Sequence, residues 1–133
     1  MYKVTKEIQF CYGHRLMEYE GMCKHPHGHN ARVEVEVEAE ALDHKGMVLD
    51  FGEIKKTLKQ WVDSQLDHRM ILRRDDPFVK WLAANKEPHF LMDENPTAEN
   101  LAKLLYQFMK SSGCPVSSVK FWETPTSFAS YSE

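Results

Sequence analysis

Apolar and polar residues alternate from the start of the chain. Tyr2, Val4, Ile8, Phe10, Tyr12 and His14 share one parity, and Lys3, Thr5, Glu7 and Gln9 share the other. A period of two belongs to a strand, whose side chains point alternately to opposite faces, so Tyr2 to His14 is predicted as strand. A loop rich in Gly, charge and Cys follows, Glu18 to Pro26. From Asn30 to Leu42, Ala31, Val33, Val35, Val37, Ala39 and Ala41 alternate without error against Arg32, Glu34, Glu36, Glu38 and Glu40. A helix would scatter those valines around its circumference, so this stretch reads as a long half-buried strand.

The period then changes. Beyond a turn at Asp43 to Gly46, Asp50 with Glu53 three residues on has the form of a capping box. Ile54, Leu58, Trp61, Val62 and Leu66 fall on one helical face behind it. Leu72 to Asn95 is mixed, broken at Asp75-Asp76-Pro77, with a short helix near Phe78 to Asn85. Thr97 is placed to cap a further helix whose stripe is Leu101, Leu104, Leu105 and Phe108, stopped by Ser111-Ser112-Gly113 and Pro115. Val116 to Glu123 and Phe128 to Ser132 close the chain as two strands about a turn at Thr124-Pro125. Strands grouped apart from helices mean an α+β fold, here a four-stranded antiparallel sheet with two helices on one face.

At 133 residues the chain is expected to form one domain, residues 1–133. It should bury about two-thirds of its unfolded surface, so no disulfide or metal is needed merely to fold it. A formal net charge of −3 lacks the basic excess of a nucleic-acid binder, which argues against such a partner. No apolar run approaches the roughly 20 residues of a membrane span, and Met1 to Phe10 has no secretory apolar core. The odd cysteine count, Cys11, Cys23 and Cys114, fits a disulfide framework poorly and points to a reducing compartment, the cytoplasm.

The seven histidines alter this plain picture. His27 and His29 share the buried parity of Ala31 to Ala41, and His14 lies on the apolar parity of the first strand. If the two strands pair, three imidazoles converge at the edge of the core, the ligand set of a catalytic rather than a structural zinc. Gly28 between them would allow close approach. A cupin-like reading, with Glu34 as a carboxylate ligand, fails because Glu34 is on the opposite parity from His27 and His29. His25, His44 and His89 read as loop histidines.

Three further features carry chemistry less specifically. Cys23 sits in a polar loop, where a thiol beside a metal and a lysine would ionise, though a fourth metal ligand or an incidental thiol fits equally. Asp67-His68 follows a helix, and its members can cooperate only on non-helical backbone; helix capping is the plainer alternative. Glu123 ends a strand on its apolar parity, so it is either at the solvent boundary or paired with a ligand that offers two donors.

Taken together and in order, His14, Cys23-x-x-x-His27-Gly28-His29-Asn30, Asp50-Phe51, Leu66-Asp67-His68, Asn95-Pro96-Thr97-x-Glu99-Asn100 and Glu123-Thr124 resemble the 6-pyruvoyl-tetrahydropterin synthase family. The resemblance implies the tunnelling fold, with sheets of several subunits joined into a homo-oligomeric barrel, hexamer or tetramer. It implies Zn²⁺ on His14, His27 and His29, Cys23 as the proton-abstracting base, and Asp67 and His68 completing the catalytic set from a neighbouring subunit. Glu123 would anchor a pterin ring, and the small-molecule substrate would be 7,8-dihydroneopterin triphosphate. Three residues between Cys23 and His27 resemble the queuosine-pathway branch, which forms 6-carboxy-5,6,7,8-tetrahydropterin with loss of acetaldehyde and triphosphate; the pyruvoyl product remains open. Two positions depart from the family pattern: Cys11-Tyr12-Gly13, where small residues are usual, and Arg73, where Asn is frequent.

Overall fold

The computed structural model describes residues 1–133. Strand β1 (Tyr2–His14) pairs antiparallel with β2 (His27–Ala39) along its whole length, from Tyr2 opposite Ala39 to His14 opposite His27. The inner parity expected of both strands is the buried one, with Ile8, Phe10, Tyr12 and His14 facing the core from β1 and Ala31 to Val37 from β2. β2 runs three residues ahead of the Asn30–Leu42 expectation at both ends, which puts His27 and His29 on strand backbone.

Helix α1 (Phe51–Gln65) lays Ile54, Leu58 and Val62 on this face. Its cap is Asp50, whose Oδ1 accepts the Gly52 amide rather than that of Glu53. The longer-range helix, α3 (Ala98–Ser111), starts at Thr97, whose Oγ1 accepts the Asn100 amide, and buries Leu101, Leu105 and Met109.

The expected four-stranded sheet needs correction, because the sheet has six strands, while the short helix expected near Phe78 to Asn85 stands as a third α-helix beside the two long ones. Met70–Arg73 forms β3, and His89–Met92, including the supposed loop residue His89, forms β4. Helix α2 (Phe78–Ala84) joins them. β3 runs parallel to β1 at Gly13 and His14, and β4 runs parallel to β3, so the sheet is mixed rather than antiparallel. The physical reason is brevity. Each of these strands has four residues, too few to display a period, and each is defined by its neighbour's open backbone rather than by its own pattern. Parallel neighbours need a crossover, and α2 supplies it. β5 (Val116–Thr124) and β6 (Ser127–Tyr131) complete the order β4-β3-β1-β2-β5-β6. No helix is long and apolar enough to cross a membrane.

Candidate metal centre and a second side-chain cluster

The β1–β2 register sets His14 directly opposite His27, with Tyr12 opposite His29. Strand alternation turns all four rings to one face. The imidazole centroids lie 4.5 Å (His14–His27), 5.0 Å (His14–His29) and 5.0 Å (His27–His29) apart, and one ring nitrogen from each falls within 4.8 Å of the others. Gly28 suits this close strand pairing, since a Cβ there would sit a tight 3.1 Å from the Tyr12 carbonyl oxygen.

Two of the rings are fixed from behind. His14 Nδ1 donates to the Pro96 carbonyl at 2.7 Å, and His27 Nδ1 donates to the His25 carbonyl at 2.7 Å. That leaves the lone pair on Nε2 in each, and both Nε2 atoms are buried without a hydrogen-bond partner. A buried polar atom without a partner costs free energy unless something occupies the place before it. His14, 2 % exposed, has its pKa lowered to about 4. Burial is the main cause, the Pro96 bond opposes it, and charge on His27 or His29 adds to it. His29 is also lowered, by burial first, with Glu123 opposing. Neutral imidazoles with free Nε2 lone pairs are the form that binds a divalent ion, and the residues present fit zinc.

The Asn-Pro-Thr motif has a visible purpose. Asn95 accepts the Met17 amide through Oδ1 and donates through Nδ2 to the Met17 carbonyl, both at 2.8 Å, and Asn100 Nδ2 holds the Asn95 carbonyl. This clamp fixes Pro96, whose carbonyl orients His14. Glu123 stands at a register shift between Trp122 and Thr124 in β5, where a bulge re-aims side chains. Its Oε1 lies 3.9 Å from His14 Nε2.

Tyr12 is the site residue that motif reasoning did not single out. It is 4 % exposed, its ring centroid is 5.0 Å from that of His14, and its hydroxyl has no hydrogen-bond partner. Burial and the nearby Glu123 charge push its pKa up, so it stays a neutral donor. Its shared parity with His14 was the available signal.

Asp67 and His68 lie elsewhere. Beyond α1 the chain turns, with His68 at φ 58°, and Asp67 Oδ2 reaches His68 Nδ1 at 2.9 Å. The turn is tied to β1 by the His68 amide donating to the Cys11 carbonyl (2.7 Å) and the Cys11 amide donating to Asp67 Oδ1 (3.1 Å). Burial pushes the Asp67 carboxyl up, but the bonds from His68 and Cys11 outweigh it and hold the group below its usual range. Cys11 alternates with Tyr12 and His14, so this cluster opens on the opposite face of the sheet from the three histidines.

Cys23 occupies a helical turn, Met22–Lys24, half-buried, and its thiol joins neither cluster within one chain. Arg73 pairs with Asp75 and Glu18. His25 and His44 are exposed.

A family model for 6-pyruvoyl tetrahydropterin synthase matches residues 3–133. A Rickettsia conorii protein named 6-carboxy-5,6,7,8-tetrahydropterin synthase is 37 % identical over 135 residues, covering 96 % of this chain and 98 % of its own. One of the same name from Haemophilus influenzae is 30 % identical and covers all of both chains. Among solved structures, an uncharacterised protein of Wolinella succinogenes matches with a TM-score of 0.83 at 30 % identity, over 99 % of this chain and 98 % of that one. A Caenorhabditis elegans 6-pyruvoyl tetrahydropterin synthase shares the fold, with a TM-score of 0.74 at 24 % identity over 99 % of this chain and 95 % of that one.

Proposed function

Because the chain belongs to the 6-pyruvoyl tetrahydropterin synthase family, we propose that it is a zinc-dependent lyase of 7,8-dihydroneopterin triphosphate, forming 6-carboxy-5,6,7,8-tetrahydropterin and releasing acetaldehyde and triphosphate. Its place would be queuosine (7-deazapurine) biosynthesis in the cytoplasm. The observation that carries the reading is the pair of buried, partnerless Nε2 atoms of His14 and His27 facing His29 and Glu123.

His14, His27 and His29 would hold Zn²⁺, which when bound supplies Lewis acidity toward a substrate oxygen. Glu123 accepts the 2-amino and N3 hydrogens of the pterin as a two-point pair, which sets the ring's orientation. Cys23, as thiolate, removes a proton from the substrate side chain. Asp67, bonded to Nδ1 of His68, fixes the tautomer that leaves Nε2 to carry a proton to or from the substrate. Since the three histidines and Asp67–His68 open on opposite faces of one sheet, a second copy of the chain completes each site. The end strands β4 and β6 provide the edges through which sheets join into a barrel, a tetramer or hexamer.

The test is product analysis with the zinc-loaded protein and 7,8-dihydroneopterin triphosphate. Acetaldehyde released in step with triphosphate supports the carboxytetrahydropterin reaction. Triphosphate without acetaldehyde overturns it in favour of 6-pyruvoyl-tetrahydropterin formation, and no turnover overturns both.

A further inference from the structure

The Asp67–His68 pair has a thiol of its own. Cys11 Sγ lies 3.4 Å from His68 Nε2 and 3.7 Å from Nδ1, while Nδ1 is held by Asp67 at 2.9 Å. A thiol beside a base that a carboxylate orients is the arrangement that activates a cysteine. Of the two ring nitrogens the sulfur is nearer to Nε2, the one that Asp67 leaves free to exchange a proton. Cys11 lines a groove of about 300 Å³ together with His68, Arg69, Met70, Leu82 and Glu87, so a small molecule can reach it.

The sulfur sits among groups of both charges. Arg69 is the fixed cation of the groove, Asp67 is engaged by His68 and the Cys11 amide, and β2 sets uncharged Asn30 opposite Cys11. Two carboxylates oppose charge on the sulfur: Asp67, whose Oδ1 accepts from Sγ at 3.9 Å, and Glu87, from the turn before β4; Lys59 of α1 acts on Asp67 from behind. Neither of the other cysteines has a histidine partner of this kind.

We propose that Cys11 is an activated thiol, paired with His68 and oriented through Asp67, and a covalent modification site for small soft electrophiles entering this groove. The sulfur's electron pair forms the new S–C bond and the leaving group departs with the electrons of the bond that breaks. The thiol proton passes by way of the His68 ring to water. The adduct lies against the His68 ring, so modification would also remove that histidine from proton transfer.

The experiment is alkylation of the zinc-loaded full chain with iodoacetamide, the rate at each cysteine followed by peptide mass spectrometry and normalised to the urea-unfolded protein. Cys11 is expected to react at least about tenfold faster than Cys114 near neutral pH, with a rate nearly flat where a free thiol gains about tenfold per pH unit. His68→Asn should return Cys11 to the free-thiol pH profile, and Asp67→Asn should move it part of the way. Asn tolerates the left-handed backbone at 68, which keeps that variant foldable. A wild-type Cys11 no faster than Cys114, or a profile unmoved by His68→Asn, overturns the proposal. The wild-type pH profile decides even if both variants misfold. None of these readings requires turnover, so the lyase assignment is tested separately.

Discussion

His14 shows how a single side chain acquires a function from its surroundings. Burial keeps it neutral down to a pKa of about 4, the Pro96 carbonyl chooses its tautomer, and Nε2 is left with no protein partner. Replacing His27 with Ala removes one of three converging donors, so zinc measured by atomic emission should fall well below one ion per subunit after dialysis. Retention of a full equivalent would refute the three-histidine site. Asp76 allows a test of stability that is independent of chemistry. It is buried, bonded through both oxygens to Arg15, and it accepts the Phe78 amide. Burial alone would raise its pKa, but Arg15 and the Phe78 amide outweigh it, so the folded value is depressed. Its stabilisation is therefore present above the unfolded value of about 3.9 and is lost as pH falls through the lower folded value. Asp76→Asn should cost about 2 kcal/mol in urea unfolding at pH 7, less than a fully buried pair because Arg15 is partly exposed, and the gap from wild type should close below about pH 4. A gap unchanged by acid would contradict the assignment.

The long strands and the two long helices were legible because each repeats its period often enough to be read. β1 and β2 each show more than five alternations, and α1 and α3 carry apolar stripes behind Asp50 and Thr97 caps. β3 and β4 escape a reading by period because four residues cannot establish one, and backbone pairing of β3 with β1 and of β4 with β3 decided their state. The α3 start matters beyond its own stability, since it carries the Asn95-Pro96 clamp that orients His14. Thr97→Ala should cost about 1 kcal/mol in thermal or urea unfolding through loss of the cap. Asn95→Ala should weaken zinc binding by about 10- to 100-fold in a chelator competition while leaving the three ligands in place. Unchanged zinc affinity in Asn95→Ala would mean that the clamp does not position His14.

At the scale of the whole molecule, the sheet separates what the proposed chemistry must unite. The three histidines and Glu123 lie on the core face, Asp67–His68 on the other, and the Cys23 thiol joins neither group within one chain. Mixed subunits can test whether a second copy closes the gap. Cys23→Ala and His68→Ala proteins, each inactive alone, should regain a measurable part of wild-type turnover after being unfolded together and refolded. Failure to regain any, with assembly verified by light scattering, would show that each site is made within one chain.

The residue order alone determined the α+β class, the inner parity of β1 and β2, and the convergence of His14, His27 and His29. Those follow from local periods and from the fact that antiparallel neighbours with matching parity share a face. Tertiary structure alone decided the six-strand order, the tying of Asp67–His68 to Cys11 within one chain, the bulge that aims Glu123 at His14, and the Pro96 bond. All of these rest on backbone groups, most of them joining residues far apart in the chain, and backbone groups have the same chemistry at every position and so leave no trace in side-chain pattern.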